Sequence, residues 1–327
     1  MSFSKRACRI TVRQAFLFML LARPGLATSQ EPQTPTIRVE VSRVNVGVIA
    51  TDRHGKFVEG LQKSDFHIFD NGVEQPIAGF LANDDPAQVI LMLECGPSVN
   101  LFGAEYVQKA DALIRNLAAN DRVAILCYSS APSVQFELND DKSSARLALR
   151  DLNFHMGFGD LNLSRSLLAV LNSLRAVPGK KSVVLLSSGV DSSPPQNAED
   201  FRSILSDSEV RILAVSTTKL LQQPAKHHKR SREERASRSN LDPMLKAGEA
   251  TLQALAAATG GRVYFPKSVK DFDNTYLEIA QIVRHEYNLA FVPQSPDGKL
   301  HSLTVTASHA HRIDHRQAYL APTSSTN

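Results

Sequence analysis

The sequence predicts an α/β fold: a doubly wound, mainly parallel sheet, with an accessory β unit built from segments at both ends of the chain. Three observations predict it. From Gln88 to His285, short apolar runs alternate with segments of helical spacing. Runs such as Val89–Leu93 and Ser182–Leu186 lack the polar alternation of half-exposed strands, as strands covered on both faces do. Before and after this stretch the rhythm changes to period two.

Each element follows in order. Ile37 to Ala50 alternates through Val39, Val41, Val44, Val46 and Val48, with a phase slip near Ser42-Arg43 that predicts a bulge or bend. Asp52-Arg53-His54-Gly55 is a turn. Phe66–Phe69 is a short strand, and Asp70-Asn71-Gly72 is a hairpin signal into a strand over Val73–Phe80. Residues 37–81 thus form an N-terminal β segment. A linker around Ala82–Pro86 leads to the α/β domain, residues 86–285.

In that domain Val89–Leu93, Val123–Tyr128, Ser182–Leu186, Glu209–Val215 and Arg262–Phe265 are the expected strands, with Ser133–Leu138 as a short edge strand. Helices are expected over Gly103–Ala119, Ser143–Leu152, Leu163–Leu174, Leu252–Ala258 and Phe272–His285. Tyr287–Val292, Leu303–Ala307 and Gln317–Leu320 then read as strands of a C-terminal β segment, residues 286–322. Each terminal segment is small for an independent core, so a shared unit is the economical expectation.

The first 27 residues read as a secretory signal. Lys5, Arg6, Arg9 and Arg13 precede the short apolar core Ala15–Ala22, and Gly25-Leu26-Ala27 has the form of a cleavage site. Cleavage would give a secreted or periplasmic chain with a disordered, polar lead over 28–36; the alternative is an uncleaved anchor. No later segment approaches transmembrane length.

Charge must be counted without the signal. The full chain has 37 Lys+Arg against 33 Asp+Glu, a net +4. Residues 1–27 hold five basic residues (Lys5, Arg6, Arg9, Arg13, Arg23) and no acidic ones, leaving 32 against 33, a net −1. Nothing in that balance favours nucleic acid as a partner. Cys95 and Cys127 remain after cleavage, too few for a disulfide framework. Both end apolar runs, which favours two buried free thiols over a single bridge.

Five residues after the first buried strand then become informative: Glu94-Cys95-Gly96-Pro97-Ser98. They stand where von Willebrand factor A domains carry a DxSxS metal motif. The wider chain resembles the acidobacterial type of proteins related to that domain. Asp52-Arg53-His54-Gly55, Leu61, Asp65-Phe66, Gly72 and Gln75-Pro76-Ile77 are similar to a D-x-x-G … L … D-F-x-x-x-x-x-G-x-x-Q-x-I pattern. Leu255-Ala256, Thr259-Gly260-Gly261 and Tyr287–Pro293 extend the likeness over nearly the whole mature length.

The resemblance implies a Rossmann-like fold and three ligand loops at the carboxyl ends of the parallel strands. Loop one supplies Glu94, Gly96 and Ser98. Loop two, Gly159–Leu167, resembles G-G-T-x-L-x-x-A-L and places Leu161 where Thr belongs. Loop three, Leu185–Asp191, resembles L-L-S-D-G-x-D and places Ser188 where Asp belongs. Mg²⁺ wants oxygen ligands in near-octahedral array. Glu94 is one methylene too long, and Gly96 and Leu161 offer no side-chain oxygen. The expectation is therefore a degenerate site and no cofactor. Asp160 could swing in as a substitute carboxylate; the plainer reading makes it a loop or helix-capping residue.

Two further clusters can be placed. His309, His311 and His315 lack a further ligand at clear spacing and read as solvated surface. Residues 219–240 form a basic insertion loop, in which Lys226, Lys229, Arg230, Arg232 and Arg235 are candidates for contact with an acidic surface. No nucleophile elbow, Walker loop, HExxH or dinucleotide fingerprint is present. The expected function is a non-enzymatic, exported module that binds or scaffolds a protein partner without metal. The competing readings are a metal-dependent adhesion module using Glu94, Ser98 and Asp160, and a hydrolase using Glu94 as acid or base.

Overall fold

Burial of uninterrupted apolar runs sets the architecture. In a computed structural model, which describes residues 43–96, 104–152, 160–192, 201, 204–205, 208–222 and 232–323 (side chains of 232–240 excepted), every residue of β5 (Ala87–Glu94), β8 (Lys180–Ser187) and β9 (Val210–Ser216) is buried. With β6 (Arg122–Tyr128), β7 (Pro132–Asn139) and β10 (Arg262–Tyr264) they form one sheet in the order β10-β9-β8-β5-β6-β7. The first five run parallel. β7 is antiparallel, because the short Ser129–Ala131 connection can only return the chain alongside β6. The sheet is thus mixed, with its reversed strand at the edge.

Alternate residues feed two cores. Val89, Leu91 and Leu93 pack with α1 (Glu105–Gln108), α2 (Asp111–Asn116), α3 (Lys142–Arg150) and α7 (Asp271–His285). Ile90 and Met92 pack on the other face with α4 (Leu163–Leu174) and α6 (Arg232–Thr259). Full burial of each such side chain contributes about 1.5–3 kcal/mol.

Two helical expectations need correction. The single helix expected over Gly103–Ala119 is two short ones. At the junction Ala110 N–H donates to Val107 O and Ala112 N–H to Lys109 O, tight i→i+3 bonds that break the α-helical ladder. The basic segment 219–240 is not a loop throughout: α5 (Thr218–Leu221) overlaps its start, and α6 begins at Arg232. Arg, Glu and Ala are good helix formers, and the scarcity of apolar residues there hid the helix. Arg232 and Arg235 therefore lie on its first turn. Lys226, Lys229, Arg230, Ser98, the signal, the lead and residues 37–42 lie outside the described residues.

The two terminal segments interleave. β1 (Val44–Thr51) sits between β11 (Tyr287–Phe291) and β13 (Arg312–Asp314), and β4 (Ile77–Leu81) flanks β11. β2 (Phe66–Asp70) sits between β12 (Leu300–Ala307) and β3 (Val73–Gln75), with β14 (Ala318–Leu320) beyond β12. Each four-stranded sheet takes strands from both ends of the chain. Their shared core includes Val46, Val48, Ile68, Tyr287, Phe291 and Val305.

The expected strand Val73–Phe80 is split. Pro76 has no N–H for a ladder, and β3 and β4 fall into different sheets on either side of it. Asn71 and Gly72 both have positive φ, as the tight hairpin before β3 requires.

The histidine cluster also departs from expectation. His309 and His311 are exposed, but His315 follows β13 into the protein. Its Nδ1–H donates to Arg316 O at 2.6 Å, and its Nε2 accepts from Val305 N–H at 3.3 Å. Burial, and then the charge of Arg211, push its pKa below the usual histidine value, so the ring is neutral.

Candidate functional site

β5 and β8 are hydrogen-bonded neighbours, so the loops that follow them emerge side by side. This places Glu94, the last residue of β5, against Ser187 and Ser188 at the end of β8. Glu94 is only 2 % exposed. Its Oε2 accepts from Ser188 N–H at 2.7 Å, Ser188 Oγ at 2.8 Å, Ser187 Oγ at 3.2 Å and Tyr128 OH at 3.2 Å. A buried carboxylate is tolerated only when donors replace its lost water, and here the protein supplies them. Burial, followed by the neighbouring Glu94 charge, raises the Tyr128 pKa well above the ordinary tyrosine value. Tyr128 therefore stays a neutral hydroxyl in this network.

Loop three is held from behind. Gly189 has φ +73° and lies against Gly248 of α6: a Cβ on Gly189 would run into the Gly248 carbonyl, and one on Gly248 into the Ser188 carbonyl. The Ser187 and Ser188 hydroxyls also accept from Gly189 and Val190 N–H.

Loop two meets loop one through an apolar contact. A Cβ at residue 96 would lie 2.6 Å from Leu161 Cδ2, so the Leu161 side chain packs directly over Gly96. Leu161 is fixed by exchange with loop three: its N–H donates to Ser192 Oγ at 3.1 Å, and its carbonyl accepts from Ser192 N–H at 2.7 Å.

Glu94 and Ser188 are therefore hydrogen-bonded, and Gly96 and Leu161 are in contact. Asp160, which precedes Leu161 in the chain, is exposed. It does not cap α4: Asn162 holds the N-cap position, and Asp191 of loop three accepts from Ser164 N–H at 2.9 Å instead. Of the described positions that the resemblance assigns to metal ligation, two lack a side-chain oxygen and the carboxylate already serves four donors. That set does not match the oxygen shell Mg²⁺ requires. Among the described residues, no cluster of three or more His, Cys, Asp or Glu is arranged to hold a metal.

Sequence reasoning missed Tyr128 and Ser187, whose roles depend on which strands are neighbours. It also favoured the wrong cysteine state. Cys95 and Cys127 form a disulfide, with Cα atoms 5.5 Å apart. Glu94 pairs with Tyr128 across β5 and β6, which puts residue 95 diagonal to residue 127. The strand pairing that brings them together cannot be read from their separation in sequence.

A model of the von Willebrand factor type A domain matches residues 89–276, more than half of the chain. The chain belongs to the von Willebrand factor type A domain family. The matched A domain contains the whole six-stranded sheet except the first two residues of β5. No curated protein matches the chain. Among solved structures it is similar to BatB of Bacteroides thetaiotaomicron, at 14% identity and a TM-score of 0.41 over 61% of this chain and 99% of that one. A von Willebrand factor type A protein of Catenulispora acidiphila gives 11% and 0.45 over 88% and 76%. Proximal thread matrix protein 1 of the mussel byssus gives 12% and 0.44 over 62% and 49%.

Proposed function

We propose that this chain is an exported, non-enzymatic module whose A domain holds a protein partner through the loops at the carboxyl ends of its parallel strands, without a metal ion. The observation that carries the reading is the state of Glu94. Its carboxylate is buried and engaged by four protein donors, and Leu161 covers the neighbouring Gly96. The same engagement speaks against Glu94 as the acid or base of a hydrolase, since a working group must reach a substrate proton.

Asp160 supports the one competing reading. It is an exposed carboxylate next to Leu161, and a metal-dependent adhesion module would use it with Glu94 and Ser98. Thermal melting with Mg²⁺ or Mn²⁺ separates the two. The expected result is no shift at millimolar concentration. A rise of several degrees that disappears in Asp160→Asn would replace the metal-free reading with the adhesion module. Asp160 is exposed, so this variant should fold normally.

Export rests on the order of basic residues, apolar core and Gly25-Leu26-Ala27, and on the Cys95–Cys127 bridge, which suits an oxidising compartment. Among the described residues no helix is long and apolar enough to cross a membrane. Intact-mass measurement on protein recovered from the envelope or medium should give a chain beginning near Thr28. A mass that still includes Met1, in the cytoplasmic fraction, would remove export from the proposal.

A further inference from the structure

A cavity of about 220 Å³ lies where the A domain meets the β unit, at the end of the parallel strands opposite Glu94. Arg211 of β9, Arg262 of β10 and Arg312 of β13 line it, with Asp314 as the one carboxylate of the lining. The guanidinium groups are held in place. Glu286 takes Arg211 Nε at 2.7 Å and Glu278 takes Arg262 Nη1 at 2.7 Å, both outside the lining. Asp314 takes Arg262 Nη2 at 3.1 Å and Arg312 Nε at 2.9 Å.

The lining thus carries three guanidinium groups and one carboxylate, with Glu286 and Glu278 balancing two of the cations from outside it. Arg211 is almost fully buried, and its Nη2 has no hydrogen-bond acceptor among the described residues. The neighbouring His315 is neutral and adds no charge. Ile49, Leu213, Ala257 and Ile282 form the apolar part of the wall, and Gln317 adds a neutral amide. Glu286 and Glu278 hold Arg211 and Arg262 from outside the lining, and guanidinium groups so oriented are suited to recognition of an oxyanion. The apolar part of the lining favours a ligand with a hydrocarbon body. The cavity is smaller than the roughly 300–1,000 Å³ of drug-sized sites, so the ligand is small.

We infer that this cavity binds a short aliphatic carboxylate, its head group on Arg312 and Arg262 and its chain against Ile49, Leu213 and Ile282. Such a ligand would touch β9 and β10 of the A domain and β1 and β13 of the β unit at once. Occupancy would then tighten the joint between them.

The test is calorimetric titration of the full mature chain with acetate, butyrate and pentanoate at fixed ionic strength, with chloride and inorganic phosphate as controls. One saturable site is expected, with affinity rising from acetate to pentanoate. Arg312→Ala should weaken it at least tenfold. Arg312 is 69% exposed, so this variant should keep the parent melting temperature in the absence of ligand. Ile282→Ala should flatten the chain-length trend without removing head-group binding. No saturable binding, binding unchanged in Arg312→Ala, or phosphate binding without carboxylate binding would each overturn the proposal. None of these outcomes touches the carboxyl-end loops, so the partner-binding reading stands or falls separately.

Discussion

Glu286→Ala is expected to destabilise the protein by about 3–5 kcal/mol, because it leaves a charge buried without its partner. Arg211 and Glu286 are each 4% exposed and meet at 2.7 Å. Arg211 enters from the start of β9, and Glu286 links α7 to β11, so the pair joins the A domain to the β unit. Arg211 also donates through Nη1 to the carbonyl of Gly260, a further tie that assumes the guanidinium stays in place. A second buried cation raises the stake. Lys180 donates to Asn83 O and to the backbone carbonyl of Glu286. Burial lowers its pKa, and the Glu286 charge is the largest influence opposing that shift. Removing Glu286 therefore strands one cation and weakens another. Arg211→Met with Glu286→Leu should recover most of the loss, since an apolar pair of similar volume avoids the desolvation penalty. Denaturant unfolding checks both, provided separate probes of the two units give coincident transitions. A loss under about 1 kcal/mol in Glu286→Ala would mean the pair is solvated and the joint held by apolar packing alone.

The same pair shows where sequence reading stops. β5, β8 and β9 announce themselves because strands covered on both faces carry continuous apolar runs through their middles. β1 and β2 are legible through alternation, and the turn at Asn71-Gly72 through its demand for positive φ. Those signals are local. Arg211 and Glu286 are 75 residues apart, and only the order of the strands brings them together. The Cys95–Cys127 bridge, the Tyr128 and Ser187 contacts to Glu94, and the pairing of β13 with β1 share this property. The N-terminal part of α6 failed for a different reason. A charged helix without an apolar stripe carries propensity but no period, and period was the signal being read. At the candidate site, the resemblance supplied the loops to compare. It could not supply what fills them, a hydrogen-bonded Glu94 and a leucine resting on a glycine.

That filling makes the strongest test of the loop assignment a reconstruction. Glu94→Asp, Gly96→Ser, Leu161→Thr and Ser188→Asp together are expected to create a Mg²⁺ response that the parent lacks. The contacts dictate how the parts should behave. Gly96→Ser alone should destabilise, since its Cβ would sit 2.6 Å from Leu161 Cδ2. Leu161→Thr removes that clash, so the two changes should be non-additive, with the double variant more stable than the sum of the singles implies. Ser188→Asp replaces a hydroxyl that donates to the residue-94 carboxylate with a second carboxylate beside it. Two carboxylates sharing a site repel. Without cation the fourfold variant should therefore melt below the parent. With Mg²⁺ at 100 times its dissociation constant it should gain about 2.7 kcal/mol by mass action, visible as a saturable rise in melting temperature. Absence of that rise in a folded fourfold variant would mean that residues 94, 96, 161 and 188 do not occupy the ligand positions assigned to them. The degeneracy argued from them would then lose its basis, even though Glu94 and Ser188 are joined by hydrogen bonds.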